Sequence, residues 1–448
     1  MGPDGVKAPS IVSLFAALLF SAIVATAARA AETTDAKPEP ASIWPRQDYS
    51  GDLFERRYLT GDWGGWRTKL ADRGVTLGVN LYQAYRGIVD GGRDENDAYG
   101  GSADYELHVE TERLGLWPGG FATVFAESRF GKSVNGDAGV LIAPDTDGLL
   151  PLPEEITTLS GVTFVQFLAP WVAVLGGKIC TIDGDQNAFA SGRGNTQFSN
   201  LGFVINPIVL RSVPYSALGG GFLLVLPDEL GTYTFSVLDA LGRPDTVGFD
   251  DAFSDGTVIA QELRIGYRPL GLPGHVTLGG SWSSRNFGVL DQDPRLIIDA
   301  VIDERFGTNL AEIDRANSSW AVYYNFDQFL YAEKDDPTQG VGLFFRFGQG
   351  DERTNPLERF YSFGFGGKGV IPTRDDDTFG IGWYLVDRSD QLPRLIERRT
   401  QGGQGFEVFY NAAVLPWLHL TPDLQVVEPG VKRVDTAVVL GARMQIAF

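Results

Sequence analysis

The sequence predicts an all-β chain: a transmembrane antiparallel β-barrel of sixteen strands, with a short periplasmic helix ahead of it. Three observations carry this expectation. Apolar and polar residues alternate with period two in segment after segment from Val75 to Phe448. Residues 1–30 read as a secretory signal, and no later apolar run is long enough for a transmembrane helix. Glycine accounts for 56 of 448 residues and aromatics for 12%, a composition suited to many turns and closely approaching backbones.

The elements follow in order. Lys7 supplies a basic start, Ile11 to Thr26 an apolar run, and Ala28-Arg29-Ala30 a small-x-small cleavage site. The same run approaches the length of an anchor helix, but the cleavage site directly behind it favours removal. Residues 31–74 then form a periplasmic leader, polar and proline-bearing up to Ser50. In it, Trp66 to Arg73 reads as a helix stopped by Gly74.

Residues 75–448 are the expected barrel. Val75, Leu77, Val79 and Leu81 share one face, and Thr76, Gly78, Asn80 and Tyr82 the other. Tyr105, Leu107 and Val109 oppose Asp104, Glu106, His108 and Glu110. Ala321, Tyr323, Asn325 and Asp327 alternate with Trp320, Val322, Tyr324 and Phe326, and Glu262 and Arg264 alternate with Leu263 and Ile265. The last strand sets Val438, Leu440, Ala442, Met444, Ile446 and Phe448 against Gly441, Arg443 and Gln445. A soluble sandwich would show similar alternation. The signal peptide and the terminal aromatic favour a barrel with its apolar face in lipid and its polar face around water. Trp117, Trp171, Trp320, Trp383 and Trp417 are expected near strand ends, as interfacial girdles.

The span allows about 23 residues per strand and connection for sixteen strands, and fourteen or eighteen would also fit. Closure is required because an open sheet edge in lipid leaves a row of backbone groups unpaired. Asp90 to Gly101 reads as a charged loop. Gly131 to Ser160 and Asp183 to Ser199 are long enough to fold inward and narrow the pore.

Net charge is −20 and the pI is near 4.6, which excludes phosphate-rich partners such as nucleic acid. The single Cys180 and the three histidines, His108, His275 and His419, leave no expected cofactor or metal centre. Asp183-Gly184-Asp185-Gln186-Asn187 opens like a calcium loop, but Ala188 and Gly194 stand where glycine and glutamate are needed, so it reads as a polar turn. Asp375-Asp376-Asp377 reads as a solvated turn, with a divalent-ion bridge to lipopolysaccharide as the alternative. No nucleophile elbow, zinc-protease motif or phosphate loop occurs, so no enzyme is expected. A barrel-wall histidine beside a serine is the one opening for a hydrolase.

Specific segments add to this. Leu59-Thr60-Gly61-Asp62-Trp63-Gly64-Gly65-Trp66-Arg67-Thr68-Lys69-Leu70, then Gly177-Lys178-Ile179, Asn206-Pro207, Val213-Pro214-Tyr215-Ser216-Ala217, Asn325 to Tyr331, and Thr421-Pro422-Asp423-Leu424-Gln425 stand across the mature chain. Together they resemble the carbohydrate-selective porins, the OprB family. The resemblance implies a sixteen-stranded outer-membrane barrel that passes monosaccharides such as glucose by diffusion. It also implies small sugars, membrane lipid and lipopolysaccharide as partners, and leaves monomer or homo-oligomer open. A general porin, or one for another solute, is the alternative.

A sugar pore needs donors and acceptors that replace the solute's water and still release it. The lumen-facing candidates are the acidic group Glu106, His108 and Glu110, near Asp104, and the basic residues Arg129, Lys178, Arg264, Arg346 and Arg443. Opposed acidic and basic walls would favour dipolar solutes. The plainer role for each arginine is a salt bridge bracing the wall.

Overall fold

The structure is a computed structural model and describes residues 43–44, 46–182, 186–293 and 313–448. The expected signal segment, most of the leader and Asp183 to Asp185 lie outside the described residues. The chain opens with β1 (Val75–Gly92), β2 (Asp97–Glu110), β3 (Gly120–Gly131) and β4 (Ile156–Ala169). It continues with β5 (Val172–Cys180), β6 (Ser216–Val225), β7 (Gly231–Asp239), β8 (Thr257–Tyr267) and β9 (Gly274–Ser283). After a two-residue ribbon pairing Phe287–Gly288 with Arg315–Ala316 come β10 (Ser319–Ala332), β11 (Gly340–Gly350), β12 (Leu357–Lys368) and β13 (Thr378–Arg388). The last three are β14 (Gly403–Leu415), β15 (Leu418–Val427) and β16 (Asp435–Ala447).

Each strand pairs antiparallel with its neighbours in sequence, and β1 pairs with β16, so the sheet is a closed barrel of sixteen strands. The connections beside the chain termini, such as 170–171, 226–230 and 416–417, are short. Those at the other rim reach the lengths of 132–155, 181–215 and 240–256. In membrane barrels the short turns face the periplasm. No helix among the described residues is long and apolar enough to cross a membrane.

The alternation read from the sequence is realised inside out. Leu77, Tyr85, Val89, Tyr105, Leu278, Phe363, Ile381 and Leu440 are exposed on the outer wall. Arg86, Arg346, Glu407 and Gln425 are among the most completely buried side chains, and they point inward. The stretch expected as a loop from Asp90 to Gly101 is mostly strand: β1 runs to Gly92, β2 begins at Asp97, and only 93–96 turn. Charged side chains are permitted there because this hairpin lies at the extracellular rim. Trp117, Trp171 and Trp417 lie in periplasmic turns and Trp320 at the extracellular start of β10, whereas Trp383 sits in the middle of β13.

The seam between β1 and β16 is held from below. The helix α1 (Trp66–Asp72) starts where Asp62 accepts the Thr68 N–H at 2.8 Å. It ends at Gly74, whose φ is +80° and where a Cβ would meet the Glu110 carbonyl at 2.8 Å, so glycine is required. Arg67 projects from this helix between the rings of Tyr49, Tyr58 and Trp63, 4.2 to 4.9 Å from their centroids. Its guanidinium donates to the carbonyls of Leu77 at 2.8 Å and Phe448 at 3.0 Å. Leu59 N–H donates to the Ala447 carbonyl at 2.8 Å, and Phe448 N–H to that of Val79 at 2.9 Å.

The main apolar core lies inside the barrel. The inward-folded loop 181–215 brings Phe189, Phe198 and Phe203 against Phe329, Phe344, Phe409 and Tyr384 of the wall, at 4.7 to 6.2 Å between ring centroids. Glycines make the room. A Cβ at Gly342 would stand 2.4 Å from the Phe189 ring, and one at Gly382 2.7 Å from Phe203. Replacing Gly382 with valine is therefore expected to expel Phe203 from its seat. The folded band on unheated detergent gels should then be lost at a lower temperature than in the wild type, and an unchanged transition would show that the loop does not need this contact.

Candidate functional site

Two long loops enter the barrel, and inward-facing wall residues hold them. The Glu407 carboxylate accepts the backbone N–H groups of Ser199 at 2.7 Å and Asn200 at 2.8 Å. Gln425 accepts from Asn200 at 3.1 Å and donates to the Pro144 carbonyl at 2.8 Å. Arg86 donates to Ser199 Oγ at 2.6 Å and ion-pairs with Asp145 at 3.0 Å. Arg346 donates to the carbonyls of Phe203 and Ala190, and Arg443 to those of Gly194 and Gln197. Arg346 and Arg443, expected in the lumen, thus stand there as loop anchors rather than as free cations.

Further groups make the middle of the lumen a charged layer. Arg193, from the inward loop, pairs with Glu127 of β3, and the Tyr215 hydroxyl donates to Glu127 at 2.6 Å. Asp147, from loop 132–155, accepts from Ser102 Oγ at 2.6 Å. Burial, then the neighbouring Asp145, push the Asp147 carboxyl up to about 6, while Ser102, Arg86 and Arg193 act in the opposite sense.

On the periplasmic side of this layer, a cavity of about 430 Å³ opens beneath Thr196. Its wall carries Asn80, Glu106, His108, Asn411, His419 and Gln445, and the leader contributes Gln47, Arg57 and Tyr58. His108 Nε2 lies 3.2 Å from Glu106, and Trp44 packs on the His108 ring with centroids 4.5 Å apart. His419 Nδ1 lies 2.7 Å from Asn411 Oδ1. A second cavity of about 380 Å³ lies between the inward loop and the wall of β5 to β10. There Thr232, Thr234 and Ser236 form a row of hydroxyls beside Glu262, Arg264 and Tyr323. Tyr323 donates to Glu262 at 2.6 Å, and Arg264 donates to the Gln186 side chain at 2.6 Å and to its carbonyl at 3.0 Å.

Of the residues expected to line the pore, Glu106 and His108 meet in the first cavity and Arg264 stands in the second. Glu110 faces inward at the periplasmic rim and pairs with Arg113 at 3.1 Å. Arg129 faces inward, buried, in the extracellular half of β3. Lys178 stands elsewhere. It pairs across strands with Val162 on the outward row, and its amine donates to the carbonyls of Pro244 and Thr246 in the loop 240–256. Gln47 and Tyr58 join the site from a leader without periodicity, so no sequence pattern marks them. The hydroxyl row Thr232, Thr234 and Ser236 alternates with Tyr233, Phe235 and Val237, so period two marks its inward face but not its place in the site.

A closed sixteen-stranded barrel, apolar outside and polar within, narrowed by inward loops and with short turns on the side of its termini, is an outer-membrane porin. The chain belongs to the carbohydrate-selective porin, OprB family, whose profile matches residues 94–448. That span includes the segments from Gly177 onward that carried the resemblance, and begins after the one at Leu59 to Leu70. The outer membrane of a Gram-negative bacterium is accordingly its location.

Solved structures agree on the fold. The high-pH structure of Pseudomonas putida OprB matches with a TM-score of 0.75 at 20% identity, over 89% of this chain and 100% of that one. The low-pH structure of the same protein matches with a TM-score of 0.57 at 16% identity, over 88% and 99%. The outer-membrane channel DcaP of Acinetobacter baumannii matches with a TM-score of 0.51 at 9% identity, over 84% and 97%. No curated protein sequence matches the chain.

Proposed function

We propose that the chain passes small neutral sugars of the glucose type across the outer membrane by diffusion, with no cofactor and no covalent step. The observation that supports this best is the second cavity. A row of hydroxyls, one carboxylate and one guanidinium face the same lumenal space. A sugar presents hydroxyls all round, so it exchanges bonds to water for bonds to such groups at small net gain, and binding stays weak enough for release. Glu106, His108 and Asn80 offer the same chemistry on the periplasmic side.

Ion conductance in a planar bilayer, titrated with glucose, a disaccharide and a charged solute, tests the reading. Glucose should block the ion current saturably, the disaccharide more weakly, and the charged solute not at all. Glu262→Ala should raise the half-blocking glucose concentration about tenfold, the worth of one hydrogen bond to a charged group. Equal passage of all three solutes would leave a general porin in its place.

A further inference from the structure

On the outside of the barrel, the loop 240–256 folds down over the wall rather than away from it. Between loop and wall lies a hollow of about 760 Å³, within the range of roughly 300–1,000 Å³ typical of sites that take a ligand. Its lining is mostly apolar, with Leu159, Val162, Leu218 and Val237 from the wall and Val247 and Phe249 from the loop, while Thr157, Thr158, Lys178, Asp245 and Thr246 bring polar groups to it. Gly219 and Gly220 lie in its floor, so the wall is bare there, whereas Leu and Val cover it on either side.

The loop is fastened in place by a buried cation. Lys178 donates to the Pro244 carbonyl at 2.9 Å and to the Thr246 carbonyl at 2.5 Å, and Asp245 lies between those two residues. Gly248 would bring a Cβ to 3.5 Å from Leu218, so the loop backbone rides close over the wall. Asp245 in turn takes a bidentate pair from Arg243, at 2.9 and 2.6 Å, at the rim of the hollow. Yet Phe249 remains 73% and Val247 65% exposed on a loop that water would otherwise surround. Loop residues of this kind, held rigidly beside an open apolar hollow, are placed to close over something apolar.

We propose that the hollow holds one acyl chain of an outer-leaflet lipopolysaccharide, clasped against the barrel by loop 240–256. The occupant follows from position. The hollow opens from the lipid-facing rows that Val162 and Val174 continue toward the periplasm, so it is an extension of the protein's contact with hydrocarbon. It lies at the extracellular strand ends, where the outer leaflet is, and lipopolysaccharide is the lipid of that leaflet. This site depends on the outer-membrane location and is independent of the solute that the pore carries.

Native mass spectrometry of the folded barrel in detergent, titrated with rough-type lipopolysaccharide or with phosphatidylethanolamine as control, tests it. The wild type should retain a single lipopolysaccharide and no phosphatidylethanolamine. Val162→Trp, which fills the hollow, should lose the adduct while keeping the wild-type heat-modifiable band. Phe249→Ser, at an exposed position that folding does not need, should lose it as well, and Lys178→Met should weaken it by releasing the loop. Adducts of equal abundance in all variants would overturn the proposal. So would equal retention of phosphatidylethanolamine, or oligomers that the same substitutions dissociate, which would mark the hollow as a seat for a second copy.

Discussion

Glu407→Ala is expected to widen the pore and to lower the stability of the folded barrel. The Glu407 side chain is fully buried, and its two oxygens receive the N–H groups of Ser199 and Asn200, the point at which the loop 181–215 turns against the wall. Alanine leaves two buried donors unpaired, a cost of about 2–6 kcal/mol. The loop can recover those bonds only by moving out to water. Once it moves, Phe198 and Phe203 leave the aromatic cluster on β11 to β14 and the barrel cross-section opens. Single-channel conductance should rise severalfold and discrimination between mono- and disaccharides should fall. Glu407→Gln keeps one acceptor oxygen and should lie between the two. Wild-type conductance in the alanine variant, with the barrel folded, would show that the aromatic contacts and the remaining anchors, Arg86, Gln425, Arg346 and Arg443, hold the loop without Glu407.

Asp147→Asn should remove a step in ion selectivity near pH 6. Burial and Asp145 raise the Asp147 carboxyl from an ordinary 3.8 to about 6. The folded-state value lies above the unfolded one, so the ionised carboxylate opposes the folded arrangement. That penalty is complete above pH 6 and disappears as the pH falls toward 4, the window between the two values. Protonation removes one negative charge from the charged layer, so the wild type should lose cation selectivity across this window. The asparagine variant, which keeps an oxygen for Ser102, should lack that part of the change and unfold at a higher temperature at pH 7. The gain is on the order of 2–3 kcal/mol, because each tenfold change in proton affinity corresponds to about 1.4 kcal/mol. Reversal potentials from pH 4 to 8 compare the two; identical curves would mean that Asp147 does not face the conducting path.

The assignment of inside and outside was legible wherever alternation pairs apolar with polar residues, as at Tyr105 to Glu110 or Trp320 to Asp327. It fails on β5. There Val172, Ala173, Val174, Leu175, Gly176 and Gly177 give both faces the same character, and the only polar marker is Lys178. A lysine in such a run reads as lumenal because lipid is the costlier alternative. The loop 240–256 supplies a third environment, a pair of backbone carbonyls, which no local pattern encodes. The inward loops could be expected from their length, but their anchors join residues some two hundred positions apart, such as Ser199 and Glu407. Arg346 and Arg443 were legible as inward cations; their use in capping loop carbonyls depends on where the loops come to rest. The charged hairpin around 93–96 shows the converse, since acidic and glycine-rich composition marks exposure to water and does not forbid a strand that continues beyond the membrane.

The latch beneath the seam bears on how the ring is made. Arg67 and Leu59 precede every strand in the chain, yet two of their acceptors, the carbonyls of Phe448 and Ala447, stand at the far end of β16. Two of the bonds that fix the leader therefore form only once β16 has arrived beside β1. An assembly intermediate that lacks β16 leaves the Arg67 guanidinium the Leu77 carbonyl and the rings of Tyr49, Tyr58 and Trp63, but not the Phe448 carbonyl. Completion of the cylinder thus carries its own certificate: the leader is fully docked only when β16 is in place.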